Sequence, residues 1–198
     1  QTFKRIAQPD YLPHSFFIEG GGLAVENALK VAFDWKRRKN LAKGSSAKGE
    51  KVIHFKQCFH GRTGYTMSLT DSPDKRKTMY FPKFDWPRVT NPKIIFPLEN
   101  HLDQVIASEE QSLKEIKDAI TANPDNIASI ILEPIQGEGG DNHFRCEFFQ
   151  ELRKLADEND FLLIYDEVQT GIGITGSMWA HQSFDSDTLL PDIISFGK

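Results

Sequence analysis

The residues best suited to chemistry stand where apolar runs stop. Leu162-Leu163-Ile164-Tyr165 leads into Asp166-Glu167-Val168-Gln169, and Ile193-Ile194-Ser195-Phe196-Gly197 leads into Lys198. In an open α/β sheet, ligands bind beyond the carboxyl ends of the strands, so both charges are expected at a ligand edge. A carboxylate there can hold a metal, a ribose or a protonated ring nitrogen. A lysine there, desolvated or beside other cations, can act as a neutral nucleophilic amine. Upstream, Glu19-Gly20-Gly21-Gly22-Leu23 opens an amphipathic helical pattern. Glycines at a helix start leave backbone N–H groups open to an anion, and the helix dipole favours it, so this turn reads as a phosphate site. It has neither the Gly-Lys-Ser/Thr of a P-loop nor the spacing of a G-x-G-x-x-G fingerprint. Two further polar clusters follow apolar runs: Gln57-Cys58-Phe59-His60-Gly61-Arg62-Thr63, and Glu133-Pro134-Ile135-Gln136-Gly137-Glu138-Gly139-Gly140.

The elements that must position these groups can be read from periodicity. Strands are expected at Phe16–Ile18, Val52–Phe55, Ile94–Phe96, Ile127–Leu132, Phe161–Tyr165 and Ile193–Phe196. Several do not alternate with polar residues, which is the habit of parallel strands buried on both faces. Helical spacing appears at Val25, Ala28, Leu29 and Ala32, again from Leu102 to Ile120, and at Phe148, Phe149, Leu152, Leu155 and Ala156. Strand and helix alternate, so the expected class is α/β: a mostly parallel sheet with helices on both faces, in three layers. The Lys- and Arg-rich stretch 36–51 reads as a solvated helix end and a loop. The stretch 71–92, rich in Pro, Asp and Lys, reads as a long loop.

The composition narrows the function classes. In 198 residues, 24 Lys+Arg face 28 Asp+Glu, for a net charge of −4. That balance argues against a nucleic-acid partner, which selects a basic face. No apolar run reaches the roughly 20 residues of a membrane span, and Gln1-Thr2-Phe3-Lys4-Arg5 is not followed by a signal-peptide core. The two cysteines, Cys58 and Cys146, have no metal-ligand spacing and suit a reducing, cytoplasmic compartment. The chain starts without Met and stops directly after a strand-like run, which reads as an internal fragment.

Taken in order, the glycine turn, Phe59-His60-Gly61-Arg62, Glu133-Pro134 with its glycine-rich loop, Asp166-Glu167-Val168-Gln169-Thr170-Gly171 and Phe196-Gly197-Lys198 form a series. That series resembles the fold type I enzymes that use pyridoxal 5′-phosphate, and among them the class III (ω-amino) aminotransferases. The resemblance runs from about Phe16 to Lys198. One departure is that Gly20-Gly21-Gly22-Leu23 stands where the family usually has Ser-Gly-Thr/Ser-Glu, which removes a hydroxyl from the phosphate cup.

The longer matching stretches are similar to the branch of the family whose amine donor is L-lysine. The resemblance implies transfer of the lysine ε-amine to 2-oxoglutarate in a homodimer. Residues 1–198 would then be part of the large, cofactor-binding domain, without the N-terminal segment and the small C-terminal domain. It further implies that Lys198 bonds the cofactor aldehyde and Asp166 pairs with the ring nitrogen. Phe59 and Val168 would cover the ring faces, Gly21 and Gly22 would hold the phosphate, and Gln169 would reach the phenolic oxygen and the substrate. Arg62 would grip the substrate α-carboxylate. Glu138 would be a switch that pairs with an arginine beyond Lys198 for one substrate and releases it for the other. Two rival readings remain: a class III enzyme acting on ornithine, acetylornithine or 4-aminobutyrate, and a noncatalytic fragment. A dinucleotide enzyme is disfavoured, because Lys36-Arg37-Arg38-Lys39 stands where a ribose-binding acid belongs.

Overall fold

The computed structural model describes residues 2–184 and 189–198. Five strands make one sheet in the order β2-β1-β3-β4-β5, every neighbouring pair parallel. They are β1 (Lys51–Phe55), β2 (Arg88–Val89), β3 (Ile127–Leu132), β4 (Leu162–Asp166) and β5 (Ile193–Ser195). The helices are α1 (Thr2–Ile6), α2 (Gly21–Ala42), α3 (Thr66–Leu69), α4 (Leu102–Ala122) and α5 (Cys146–Asn159).

The strands are apolar throughout because each face has its own core. Ile53, Phe55, Ile130, Leu132, Leu163 and Tyr165 point to one face and pack under α4 and α5 through Ile116, Phe148, Phe149 and Leu152. Val52, Ala128, Ile131 and Ile164 point to the other face and meet Val25, Leu29 and Ala32 of α2. This is the expected three-layer arrangement, and the i, i+3, i+4, i+7 positions of α2 are its buried ones. Among the described residues no helix is long and apolar enough to cross a membrane.

Local expectations differ in four places. Phe16, Phe17 and Ile18 form no strand and lie 70%, 65% and 42% exposed. Ile94–Phe96 is also outside the sheet; the Ile94 N–H instead donates to the His143 carbonyl at 2.8 Å and ties this segment to a loop. Both triplets have strand propensity, but propensity supplies no pairing partner. The ladder beside β1 is taken by β2, which lies inside the stretch read as a loop. Fourth, the helix end expected in the basic stretch is present, α2 running on to Ala42 before the loop, but it is not solvated throughout. Its Lys36 is buried, with Nζ donating to the carbonyl of Asp160 at 2.7 Å. That carbonyl lies just past α5, where a cation offsets the negative end of the helix dipole. Lys39 and Lys43 reach the Asp160 carboxylate beside it.

The strand order reverses at β1: the chain steps outward to β2 and then back across to β3. Such a reversal opens a crevice at the carboxyl ends of the two strands that flank it. The segments after β1 and β3 are Phe59–Arg62 and Glu133–Gly140, the polar clusters singled out above.

Candidate active site

A cavity of about 150 Å³ lies at this edge. Its wall contains Gly21 and Gly22 at the start of α2, Phe59 after β1, Asp166, Val168 and Gln169 at the end of β4, and Lys198 after β5. Segments spread along the whole sequence thus meet at one place. The approach is made possible by missing side chains. A Cβ on Gly21 would come within 2.7 Å of Val168 Cγ1. Gly61, at φ +115°, carries its backbone so close to α2 that a Cβ there would stand 3.0 Å from the Cα of Gly22. A Cβ on Gly137 would sit 2.9 Å from Gln169 Oε1, so the loop after β3 packs flat on that amide.

The first turn of α2 is preceded by Gly20 at φ 85°, and no side chain caps it. Its leading N–H groups therefore lack the usual partner and are available to an anion in the cavity. Asp166 is buried, and its two oxygens are used differently. Oδ2 accepts from His60 Nδ1 at 2.8 Å, and Oδ1 accepts from the Val168 N–H at 3.1 Å. Burial works against a charged His60, but Cys58 and Asp166 beside the ring win, and the imidazole is held well above its ordinary range. His60 and Asp166 thus share one short, buried hydrogen bond. His60 is itself fixed, since its N–H donates to Thr70 Oγ1 at 3.0 Å and that hydroxyl donates to the Gly61 carbonyl at 2.6 Å.

Glu133 adds a second buried carboxyl to the wall. Its Oε1 accepts the Phe59 N–H at 2.8 Å, and its Oε2 is buried without a partner. Burial pushes this group up to about 8; His60 opposes the shift, while Asp166 and Glu138 reinforce it. His60 and Glu133 stand in the two polar clusters that follow β1 and β3, and sequence reasoning assigns neither a role. The available signal was position, since each is a titratable side chain close behind an apolar strand.

Two expected site residues lie outside this cavity. Arg62 is exposed and lines a wider neighbouring hollow of about 760 Å³ with Glu26, Lys30, Tyr65 and Phe84. That hollow is larger, but the smaller cavity holds the interacting titratable groups. Glu138 Oε1 accepts from Ser72 Oγ at 2.9 Å and from Lys77 Nζ at 2.5 Å. The same ammonium stands 5.8 Å from the centroid of the Phe59 ring, which belongs to the cavity wall.

An all-parallel sheet with an uncapped helix start, a strand-end acid and a strand-end amine around one cavity describes an α/β domain with a polar cavity at its carboxyl edge. The chain belongs to the aminotransferase class-III family, whose sequence model matches residues 2–198. It is 51% identical to the L-lysine-epsilon aminotransferase of Mycobacterium tuberculosis and 47% identical to that of Amycolatopsis lactamdurans. In both cases all of this chain aligns with 43% of the relative, so the chain spans less than half the length of these proteins. Among solved structures, the lysine aminotransferase of M. tuberculosis in its internal aldimine form superposes with a TM-score of 0.93 at 51% identity. The superposition covers 99% of this chain and 44% of that one. A transaminase from a marine Virgibacillus superposes at 0.78 with 26% identity, over 98% of this chain and 40% of that one. The fold is therefore the fold type I arrangement expected from the sequence.

Proposed function

We propose that this chain is the cofactor-binding part of an aminotransferase that uses pyridoxal 5′-phosphate to move the ε-amine of L-lysine to 2-oxoglutarate. The products are 2-aminoadipate 6-semialdehyde and glutamate. The observation that carries this reading is that Lys198, Asp166 and the uncapped start of α2 line one cavity. When bound, the cofactor supplies an aldehyde that amines attack and a ring that stabilises negative charge on the adjacent carbon.

The protein groups divide the remaining work. The N–H groups of Gly21 and Gly22 would take the phosphate. Asp166, oriented by its hydrogen bond to His60, would pair with the ring nitrogen. Phe59 and Val168 would cover the ring, and Gln169, against which Gly137 packs, would serve the phenolic oxygen and the substrate. Lys198 would supply the amine that meets the aldehyde and, when not bonded to it, the base that holds the proton of the substrate carbon. Arg62, with its planar fork, suits the α-carboxylate of lysine. Glu138 is the charge that distinguishes the two substrates. Support for lysine as donor comes from relatives at 47–51% identity that are lysine aminotransferases. We read the whole protein as a cytoplasmic homodimer.

The test is substrate profiling of the full-length protein with 2-oxoglutarate as acceptor. Lysine is expected to be the best donor. Much faster turnover of ornithine, acetylornithine or 4-aminobutyrate would reject lysine, and an absorbance spectrum without a cofactor band abolished by Lys198→Ala would reject the cofactor.

A further inference from the structure

Gln169 lines the cavity, yet among the described residues none of the hydrogen bonds at this edge reaches its amide. Its restraint is steric: the Gly137 backbone lies so close that a Cβ there would stand 2.9 Å from Gln169 Oε1. Gly137 is fixed in turn by the residue before it. Gln136 is fully buried and bonded at both ends of its amide. Oε1 accepts from Asn91 Nδ2 at 2.8 Å and from Asn142 Nδ2 at 2.9 Å, and Nε2 donates to the Lys56 carbonyl at 3.1 Å. The backbones of Gln136 and Asn142 also pair, each N–H donating to the other's carbonyl at 3.0 Å, which closes the loop 137–141 at its base. Asn91 Nδ2 donates again to Gln57 Oε1 at 2.9 Å. Four amide side chains thus tie together the segments after β1, β2 and β3. The loop is seated just as closely on the Gln57 side, where a Cβ on Gly139 would meet the Gln57 carbonyl oxygen at 2.1 Å. A buried amide network of this kind holds one geometry, because another would leave donors or acceptors unpaired.

We propose that Gln136 is a positioning residue for the reaction: through Gly137 it holds the Gln169 amide where the occupant of the cavity needs it. That this occupant is pyridoxal phosphate, with its phenolic oxygen as the partner of Gln169, rests on the function proposed above. Gln136 is not part of the cavity wall, so its effect there travels through the loop. Glu138 rides on the same loop, and combining changes at Gln136 and Gln169 in one variant separates the two routes.

The experiment uses the full-length protein with Gln136→Leu, Gln169→Leu and the double variant. The visible absorption maximum of bound pyridoxal 5′-phosphate is the first reading, because it responds to hydrogen bonds on the ring and not to global stability. Gln169→Leu is expected to move it, and Gln136→Leu to move it in the same direction. Equilibrium dialysis with pyridoxal 5′-phosphate gives the second reading. Each single variant should weaken binding by about 2- to 10-fold, the size of one hydrogen bond. The double variant should bind no more weakly than Gln169→Leu alone, since Gln136 acts through that amide. Gly137→Ala presses a Cβ toward Gln169 Oε1 while leaving the amide network whole, and should also move the maximum. A maximum left at its wild-type position in Gln136→Leu overturns the proposal, and so do losses of binding that multiply in the double variant. If Gln136→Leu fails to fold, Asn91→Ala, which removes one of the two donors to Gln136 Oε1, decides in its place together with Gly137→Ala. An unmoved maximum in either then overturns the proposal. A wild type with no cofactor band rejects the function and this inference with it, whereas a band indifferent to Gln136 rejects the inference alone.

Discussion

His60 and Asp166 show how much of the site depends on one buried contact. Their pairing at 2.8 Å joins residues 106 positions apart, with no local pattern to announce it. Asp166 and Lys198 were legible because a charge immediately after an apolar strand is conspicuous. The partner of Asp166 was not, because pairing across a sheet is set by topology. Replacing His60 with Leu should leave the carboxylate buried and uncompensated. A loss of roughly 3–5 kcal/mol in stability is expected from urea unfolding of the full-length protein. The raised imidazole fixes the pH window: the pair stabilises fully below the ordinary His value and loses that contribution only as pH climbs through the raised folded value. Glu133 has the same sign, since its folded value of about 8 lies above the ordinary carboxyl value. Its folded form binds the extra proton, so stability falls as pH rises toward 8. Thermal melts should therefore shift in favour of Glu133→Gln, relative to wild type, between pH 5 and 8. By contrast, Lys77→Ala breaks a half-exposed ion pair and should cost about 1 kcal/mol or less.

At the scale of elements, the start of α2 is held against the end of β4 by the absence of a methyl group. Gly21→Ala would drive a Cβ into Val168 Cγ1 at 2.7 Å and should destabilise by about 1–3 kcal/mol, as overpacking does. Val168→Ala makes room, so the double variant should recover part of that loss, and a double-mutant cycle measures the coupling. A cycle that is additive would show that the two do not touch. The helices were the easiest elements to read, because α2, α4 and α5 each carry a long periodic pattern. Short elements were harder. Phe16–Ile18 and Ile94–Phe96 have the composition of strands without the ladder, whereas β2 earns its place with two residues paired to His54 and Phe55. Three or fewer residues hold too little pattern to say which edge they will meet.

At the scale of the molecule, the class of fold was legible because continuous apolar strands imply burial on both faces, and two separate cores supply it. The strand order was not, since periodicity carries no information about which strand neighbours which. Several large apolar side chains stand in the open, among them Tyr80 at 84%, Ile174 at 76% and Phe16 at 70%. Exposed apolar area of this kind marks contact surface or aggregation hazard. Expressed by itself, this chain is expected to elute as aggregate on size exclusion and to show no transaminase activity, whereas the full-length protein is expected to be soluble. The cavity has a further consequence for how the protein is made. Its walls come from residues 21, 59, 133, 166 and 198, so of these a ribosome delivers the start of α2 first and Lys198 last. On the function proposed above, a growing chain would offer its site to the cofactor's phosphate before it could offer the amine to the aldehyde.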